Sequence, residues 1–243
     1  MSGSGDFSGL RALAFDVFGT VVDWRTSIID ELTAFGRARG IEADWTGLTD
    51  EWRAGYRPAM QRVRDGTLPW TNLDALHRLQ LDGLLERHGV RGLSEADARH
   101  LNAVWHRLKP WPDAVPGLTR LRARYVLATL SNGNVALLVN MAKAAGLPWD
   151  CILSAELCRH YKRDPEVYRM ACGLLGLEPR QVMMVAAHND DLAAAAREGL
   201  RTAFVRRPTE YGPRQTRDLG PEGDWDAVAD DMNGLADILT GGR

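Results

Sequence analysis

The chain is poor in cysteine and contains no long apolar run. Its three cysteines, Cys151, Cys158 and Cys172, are too few and too irregularly spaced for a disulfide framework or a zinc site. We therefore expect reduced thiols. Because no charged and then apolar leader opens the sequence, we also expect a cytoplasmic protein. No apolar segment approaches the roughly 20 residues needed to span a bilayer, so no membrane interaction is expected.

A strong charge of either sign is also missing. The formal net charge of −2 at pH 7 provides no electrostatic reason to expect nucleic acid or an anionic membrane as a partner. Lysine is scarce: of the 30 basic residues, only Lys109, Lys143 and Lys162 are lysines. The 243 residues, 45% of them hydrophobic, allow one large globular domain or a core with a smaller second domain.

Apolar runs typical of buried strands alternate with helical patterns over most of the chain. The strand-like runs cover residues 11–15, 125–130, 151–154, 182–187 and 202–205. The helical patterns between the later runs cover residues 115–123, 135–145, 165–175 and 192–198. Strands that alternate with helices predict a parallel sheet covered on both faces, so we expect the α/β class.

Between the first and second strands the pattern changes to helices alone. Helix-like stretches cover residues 27–39, 50–64, 72–88 and 94–108, and Pro110 and Pro112 follow them. We predict a helical cap formed by residues 24–109, inserted into an α/β core formed by residues 1–23 and 110–243. A helical lid over the strand ends would exclude water from the chemistry.

Polar side chains follow the ends of several predicted strands. Asp16 ends the first apolar run, Ser131 ends the second, and His188 follows the fourth. Ligands of parallel sheets bind at the carboxyl ends of the strands, so we expect these side chains to converge there. Asp16, followed by a Gly19-Thr20 turn, is placed as a nucleophile would be.

Four segments, in this order, resemble the haloacid dehalogenase superfamily: Asp16-Val-Phe-Gly-Thr, Ser131-Asn-Gly, Tyr161-Lys-Arg-Asp-Pro and Ala186-Ala-His-Asn-Asp-Asp. Within this superfamily the chain is similar to the type II 2-haloacid dehalogenases over nearly its whole length. The resemblance implies a Rossmann-like core with a helical cap. It implies hydrolysis of the carbon–halogen bond of short 2-haloalkanoic acids through an aspartyl ester on Asp16. The implied reactants are a halogenated carboxylate and water, with no cofactor and no metal, and a homodimer is allowed.

The resemblance implies roles for residues on the catalytic side. Asp16 displaces the halide from carbon 2, and Lys162 keeps Asp16 ionised by lying close to it. Asp191 pairs with Lys162 and helps to position the hydrolytic water. Thr20, Tyr168 and Asn189 are expected to support these groups.

The resemblance also implies the substrate-binding residues. Ser131 and Asn132 bind the substrate carboxylate and help to receive the halide, and either residue could at the same time cap the following helix. Arg53, in a Trp-Arg pair of the cap, cradles the departing halide, because a guanidinium carries several donors and stays charged. Val17 and Phe18 are expected to line the substrate site. Trp52 and Trp70 could wall the halide pocket, but core packing would explain a tryptophan equally well.

The segment around His188 departs most from the pattern of the family. Serines and an asparagine are typical where this chain has Ala186, Ala187 and His188, and an aromatic residue is typical at Asp190. His188 could act as the base for ester hydrolysis, since the unperturbed pKa of histidine is close to neutral. The changed halide or water site also raises the hypothesis that fluoroacetate is accepted.

Three absences bear on the alternatives. Phosphate-transferring relatives carry a second aspartate where this chain has Phe18, and magnesium-dependent relatives carry an aspartate where it has Ala187. Phosphonate cleavage through a Schiff base needs a lysine in the cap, and residues 24–108 contain none. A phosphatase-like hydrolase and a catalytically idle binding protein on the same scaffold remain the alternatives.

Overall fold

The computed structural model describes residues 6–241. The chain divides into two compact units. One comprises the described residues up to Asp23 together with those from Lys109 onward, and the other is Trp24–Leu108. The boundary on the C-terminal side lies one residue before the one predicted, because Lys109 pairs with Asp23 in a short antiparallel ribbon.

The unit Trp24–Leu108 is helical throughout. Its helices are α1 (Trp24–Arg39), α2 (Trp45–Ala54), α3 (Tyr56–Arg64), α4 (Leu73–Arg87) and α5 (Glu95–Asn102), followed by a 3₁₀ turn, Ala103–Arg107. The single helix predicted over residues 50–64 is divided between α2 and α3 at Gly55. A side chain at Gly55 would meet the Gln80 amide of α4 at 1.9 Å, so the chain passes close to α4 at this point.

Aromatic side chains fill the centre of the helical unit. Trp24, Trp52 and Trp105 are buried, and the His77 ring stacks on Trp105 with a centroid distance of 4.1 Å. Burial lowers the pKa of His77 to about 3, so this ring is neutral and is a packing residue. Trp52 donates from Nε1 to the carbonyl of His77 at 3.2 Å, which makes Trp52 a core residue of this unit.

The other unit contains a six-stranded parallel sheet in the order β5-β4-β1-β6-β7-β8. Its strands are β1 (Ala12–Phe15), β4 (Val126–Ser131), β5 (Cys151–Ser154), β6 (Val182–Ala186), β7 (Arg201–Val205) and β8 (Ala227–Ala229), while β2 (Val22–Asp23) and β3 (Lys109–Pro110) form the antiparallel ribbon. The helices are α6 (Ala114–Arg122), α7 (Val135–Ala145), α8 (Pro165–Leu175), α9 (Asn189–Arg197) and α10 (Met232–Thr240). The predicted α/β class is confirmed.

Burial explains the central position of β1 and β6. Every residue of Ala12–Phe15 and of Val182–Ala186 is buried, as expected for strands of a parallel sheet with helices on both faces. Helices α7 and α8 end at Gly146 and Gly176, whose φ angles of 65° and 64° are left-handed. Within residues 6–241 no helix is long and apolar enough to cross a membrane.

Candidate active site

Asp16 follows β1 directly, and both of its carboxylate oxygens are engaged. Oδ1 accepts a hydrogen bond from Lys162 Nζ at 2.8 Å. Oδ2 accepts one from Thr20 Oγ1 at 2.9 Å and lies 2.9 Å from His188 Nδ1. The side chain is buried, with 7% of the residue exposed.

The charges around Asp16 keep it ionised. Burial alone would raise the pKa of the Asp16 carboxyl, but the Lys162 ammonium and the His188 ring hold it well below its usual range. A carboxylate that stays ionised throughout the ordinary pH range is suited to act as a nucleophile.

Lys162 lies between two carboxylates. Its Nζ donates to Asp16 and, at 2.7 Å, to Oδ2 of Asp191, which is the pairing expected from the sequence. The other oxygen of Asp191 accepts a hydrogen bond from the Tyr168 hydroxyl at 2.6 Å. Burial alone would lower the pKa of Lys162, but the two carboxylates raise it, so the ammonium is charged. Asn132 fixes the lysine's loop, because its Oδ1 accepts from the Lys162 backbone N–H at 2.7 Å.

His188 lies between Asp16 and a residue that the sequence analysis did not select, Glu210. Its Nδ1 is 2.9 Å from Asp16 Oδ2, and its Nε2 is 2.9 Å from Glu210 Oε2. Burial alone would lower the pKa of His188, but Glu210 and Asp16 raise it well above its ordinary value. Each ring nitrogen of His188 is thus at hydrogen-bond distance from a carboxylate oxygen, and the role of His188 as a base stays a prediction.

Glu210 follows the carboxyl end of β7, the same edge of the sheet at which the other site residues lie. It is fully buried, and its carboxylate packs against Gly19, where an added Cβ would come within 2.1 Å of Oε1. Gly19 has a φ of 83°, a conformation that suits glycine. The position of Glu210 five residues after a predicted strand was a signal that sequence reasoning could have used.

Further hydrogen bonds hold the turn after β1 in place. Thr20 Oγ1, besides donating to Asp16, accepts from the backbone N–H of Ala187 at 2.9 Å. Arg207 donates from Nε to the carbonyl of Thr20 at 2.9 Å and forms a two-pronged ion pair with Asp113. Arg207 and Asp113 were not predicted either, since an isolated ion pair has no sequence signature.

Ser131 and Asn132 end β4, but neither of them caps the following helix. The N-cap of α7 is Asn134, and the first backbone N–H of that helix, at Val135, donates to the Glu156 carboxylate at 2.8 Å. Ser131 Oγ instead accepts from the Gly133 N–H at 3.1 Å. The helix-cap alternative is therefore wrong for both residues, because the chain turns at Gly133 before the helix begins.

The remaining predicted residues have structural contacts. Val17 is buried, and its carbonyl accepts from Val21 and Val22 in the turn. Phe18 is buried with its ring against Gly133. The side chain of Asn189 contacts the loop before β8. It donates to Asp218 Oδ1 and the Gly220 carbonyl, and it accepts from the Glu222 N–H and Trp225 Nε1. Asn189 thus fastens the loop before β8.

Arg53 lies in the last turn of α2 within the helical unit. Its guanidinium carbon is 4.5 Å from the ring centroid of Tyr56 and 5.4 Å from that of Trp24. Aromatic faces attract a guanidinium, so these two rings help to hold the Arg53 side chain. Trp70, the other tryptophan considered for a pocket wall, is partly exposed.

An ion pair supports the loop that carries Lys162. It joins Arg163 of this loop to Asp190. The pair connects the loop that carries Lys162 to the first turn of α9, which carries Asp191. The ion pair thereby helps to hold Lys162 and Asp191 in place.

Among the described residues, no group of three or more His, Cys, Asp and Glu side chains is arranged to hold a metal ion. At position 187, where metal-dependent relatives are expected to carry an aspartate, the alanine offers no side-chain oxygen.

Comparison with known proteins identifies the family of the chain. The model of the haloacid dehalogenase-like hydrolase family matches residues 10–199. An (S)-2-haloacid dehalogenase from Pseudomonas sp. strain CBS-3 is 32% identical over 218 residues, which cover 83% of this chain and 88% of the relative. The crystal structure of an L-2-haloacid dehalogenase is 51% identical with a TM-score of 0.93, covering 96% of this chain and 99% of that one. A defluorinating L-2-haloacid dehalogenase is 44% identical with a TM-score of 0.93, covering 99% and 100%. The predicted resemblance is confirmed, and the chain belongs to the haloacid dehalogenase-like hydrolase family.

Proposed function

We propose that this protein is a hydrolytic dehalogenase that cleaves the carbon–halogen bond of short 2-haloalkanoic acids through an ester on Asp16. The observation that carries the proposal is the buried, ionised carboxylate of Asp16, fixed between Lys162 and His188. A phenyl ring, Phe18, occupies the position at which a phosphate-transferring relative would have its acid. A halide leaves as a stable anion and needs no proton, so this site has what the reaction requires.

In the first step an oxygen of Asp16 bonds to carbon 2 of the substrate from the side opposite the halogen. The electron pair of the carbon–halogen bond leaves with the halide, and the configuration at carbon 2 inverts. The product of this step is a neutral ester of Asp16 and a halide ion.

In the second step water attacks Cγ of Asp16. The electron pair of the carbonyl bond moves to oxygen and returns as the bond between Cγ and the ester oxygen breaks. One proton of the water goes to the departing oxygen, giving the 2-hydroxy acid, and the other is released as Asp16 ionises again. The oxygen of the water stays on Asp16.

The substrate is proposed from the names of the relatives and from the residues. The relatives act on (S)- or L-2-haloacids, so we expect the same configuration to be preferred here. One relative releases fluoride, which supports the fluoroacetate hypothesis. Ser131 and Asn132 are proposed to bind the substrate carboxylate and Arg53 to receive the halide. A cytoplasmic location and a homodimer also remain proposals.

Metal independence is supported by where the cations lie. Lys162 Nζ lies between Asp16 and Asp191, at 2.8 Å and 2.7 Å, and supplies the positive charge there. His188 engages the other oxygen of Asp16. We therefore expect full activity in the presence of a chelator.

The test is halide release from chloro-, bromo- and fluoroacetate and from L- and D-2-chloropropionate, without magnesium. We expect release from wild type and from the exposed control Asp224→Asn, and a loss of at least about 10⁴-fold in Asp16→Asn.

A single turnover in ¹⁸O-water should place the label in the tryptic peptide of residues 12–25 and not in the hydroxy acid. If Asp16→Asn released halide as fast as wild type, Asp16 would not be the nucleophile. Turnover of a phosphate ester in magnesium, with no halide from any substrate, would favour the phosphatase alternative.

A further inference from the structure

We propose that Glu210 is a positioning residue that holds His188 doubly protonated, so that the ring donates to the carbonyl oxygen of the Asp16 ester and stabilises the oxyanion formed when water attacks. His188 is then a catalytic residue that acts as a hydrogen-bond donor and not as a base. This inference rests on the proposed function, and it adds Glu210 to the site.

The first argument is the geometry of the imidazole ring. Each ring nitrogen lies 2.9 Å from an oxygen of a different carboxylate, Asp16 on one side and Glu210 on the other. An ionised carboxylate only accepts hydrogen bonds, and a neutral imidazole has one N–H and one lone pair. Only the doubly protonated ring donates to both carboxylates at these distances.

The second argument is the charge balance of the buried cluster. Asp16, Asp191 and Glu210 contribute carboxylates to this cluster, and Lys162 and His188 lie within ion-pair distance of them. Glu210 is fully buried in this cluster. A charged partner lowers the cost of burying a carboxylate, so the contact between Glu210 and His188 favours the imidazolium. The raised pKa of His188 has the same cause.

The third argument is how the donors are shared between the two oxygens of Asp16. Oδ2 faces both Thr20 Oγ1 and His188 Nδ1 at 2.9 Å, whereas Oδ1 faces Lys162 Nζ at 2.8 Å. We assign Oδ1 as the attacking oxygen and Oδ2 as the carbonyl oxygen of the ester. The two donors at Oδ2 are then already in place for the negative charge of the tetrahedral intermediate.

The fourth argument is that Glu210 is held by the fold. Its backbone N–H donates to the carbonyl of Arg207 at 3.2 Å, and Arg207 is tied to the Thr20 carbonyl and to Asp113. The turn after β1 and the loop after β7 are thereby fastened together. Because Gly19 has no side chain, the Glu210 carboxylate can also pack directly against its backbone.

The chemistry of the second step is then balanced without a proton leaving the ring. Ester formation removes the negative charge of Asp16, but Glu210 keeps its charge and holds the second proton on His188. Water bonds to Cγ, and the carbonyl pair moves to Oδ2, where Thr20 and His188 donate. The pair returns as the bond from Cγ to Oδ1 breaks, and the departing oxygen takes a proton from the attacking water.

The experiment measures ester hydrolysis separately from ester formation. A single turnover of L-2-chloropropionate is followed by intact-protein mass spectrometry between pH 5.5 and 9.5 in wild type, Glu210→Gln, His188→Asn and the exposed control Glu42→Gln. The charged groups that bear on His188 are Asp16 and Glu210. The donor role predicts that hydrolysis is lost as pH rises through the pKa of His188, whereas a base role predicts that it is lost as pH falls.

We expect Glu210→Gln to move the loss of hydrolysis to lower pH and to slow hydrolysis at least about tenfold at pH 8.5, with ester formation changed much less. In His188→Asn one amide N–H can still donate to Oδ2, so hydrolysis should slow less than about tenfold and become independent of pH. His188→Ala, which removes the donor, should slow it about 10²-fold. Glu42→Gln should match wild type.

The inference is overturned if wild-type hydrolysis rises with pH through one ionisation and the ester is trapped in His188→Asn. If Glu210→Gln does not fold, ester hydrolysis is measured in Glu210→Asp, and ¹⁵N NMR of the wild-type histidines measures the protonation of His188. Both nitrogens of His188 must be protonated at pH 7.5, and a neutral ring rejects the proposal. If wild type forms no ester at all, the proposed function fails. If the ester forms and hydrolyses regardless of Glu210, only this inference fails.

Discussion

At the scale of single residues, the site depends on a lysine that is paired twice. Lys162 supplies the positive charge for Asp16 and for Asp191, and it is buried with 3% of the residue exposed. Because the chain has only three lysines, and Lys143 is exposed at the end of α7, the two positions allow a matched comparison.

Replacing Lys162 with methionine should leave two buried carboxylates facing each other without the ammonium. The pKa of Asp16 should then rise, so halide release is expected to fall as pH decreases through the raised pKa, whereas wild type keeps a plateau at acidic pH. The free energy of unfolding should drop by about 3–5 kcal/mol, as for other broken buried pairs. The measurements are halide release against pH and denaturant unfolding. Lys143→Met serves as the control, and equal activity of both variants at pH 6 would contradict the role of Lys162.

At the scale of elements, the turn after β1 and the loop after β7 depend on each other. Glu210 reaches His188 because the backbone at Gly19 leaves room for its carboxylate. Both segments follow strands whose carboxyl ends lie at one edge of the sheet, and β6, which precedes His188, pairs with both β1 and β7.

Gly19→Ala should therefore disturb more than its own backbone. Gly146 is the control, because it too has a left-handed φ but nothing lies within 4 Å of an added Cβ. Each substitution should cost about 1–2 kcal/mol in backbone strain. Gly19→Ala should cost more, since the Glu210 carboxylate has to move away from a contact of 2.1 Å. Thermal unfolding measures the stability, and single-turnover ester hydrolysis should be slowed in Gly19→Ala alone. Two variants with the same stability and hydrolysis would show that the contact is unimportant.

At the scale of the whole molecule, the buried charges make stability depend on pH. The pKa of Asp16 is lowered in the folded protein, so its contribution to stability is present above the unfolded value and is lost as pH falls through the folded one. The pKa of His188 is raised, so its contribution is complete below the unfolded value and is lost as pH rises through the folded one. Both contributions to stability are therefore complete only between the unfolded pKa values of the two side chains, about 4 for aspartate and about 6.5 for histidine.

We expect the melting temperature to be highest in this window and to decline on both sides. The alkaline decline should be smaller in Glu210→Gln, because the folded and unfolded pKa values of His188 then differ less. Differential scanning calorimetry from pH 3 to 10 in wild type and variant measures both slopes. An alkaline decline that is unchanged by the substitution would show that another group causes it.

Local pattern was enough to predict much of the fold. The runs that became β1, β4, β5, β6 and β7 are mostly apolar, and the helices that end at Gly146 and Gly176 carry a recognisable cap. Strand β8, helix α10 and the β2–β3 ribbon were not predicted. The strands are two or three residues long, too short for a periodic pattern, and the region of α10 was not assigned.

For the candidate site, the sequence by itself determined which residues are present: Asp16 at a strand end, Lys162 and Asp191 in recognisable segments, and no acid at Phe18. Their chemistry follows from residue type and order along the chain. The tertiary structure alone decided the partner of His188, because Glu210 is 22 residues away and belongs to no motif. It also decided which oxygen of Asp16 each donor reaches. Protonation depends on the charges within a few ångströms, and these are known only after β1, β6 and β7 have been placed side by side.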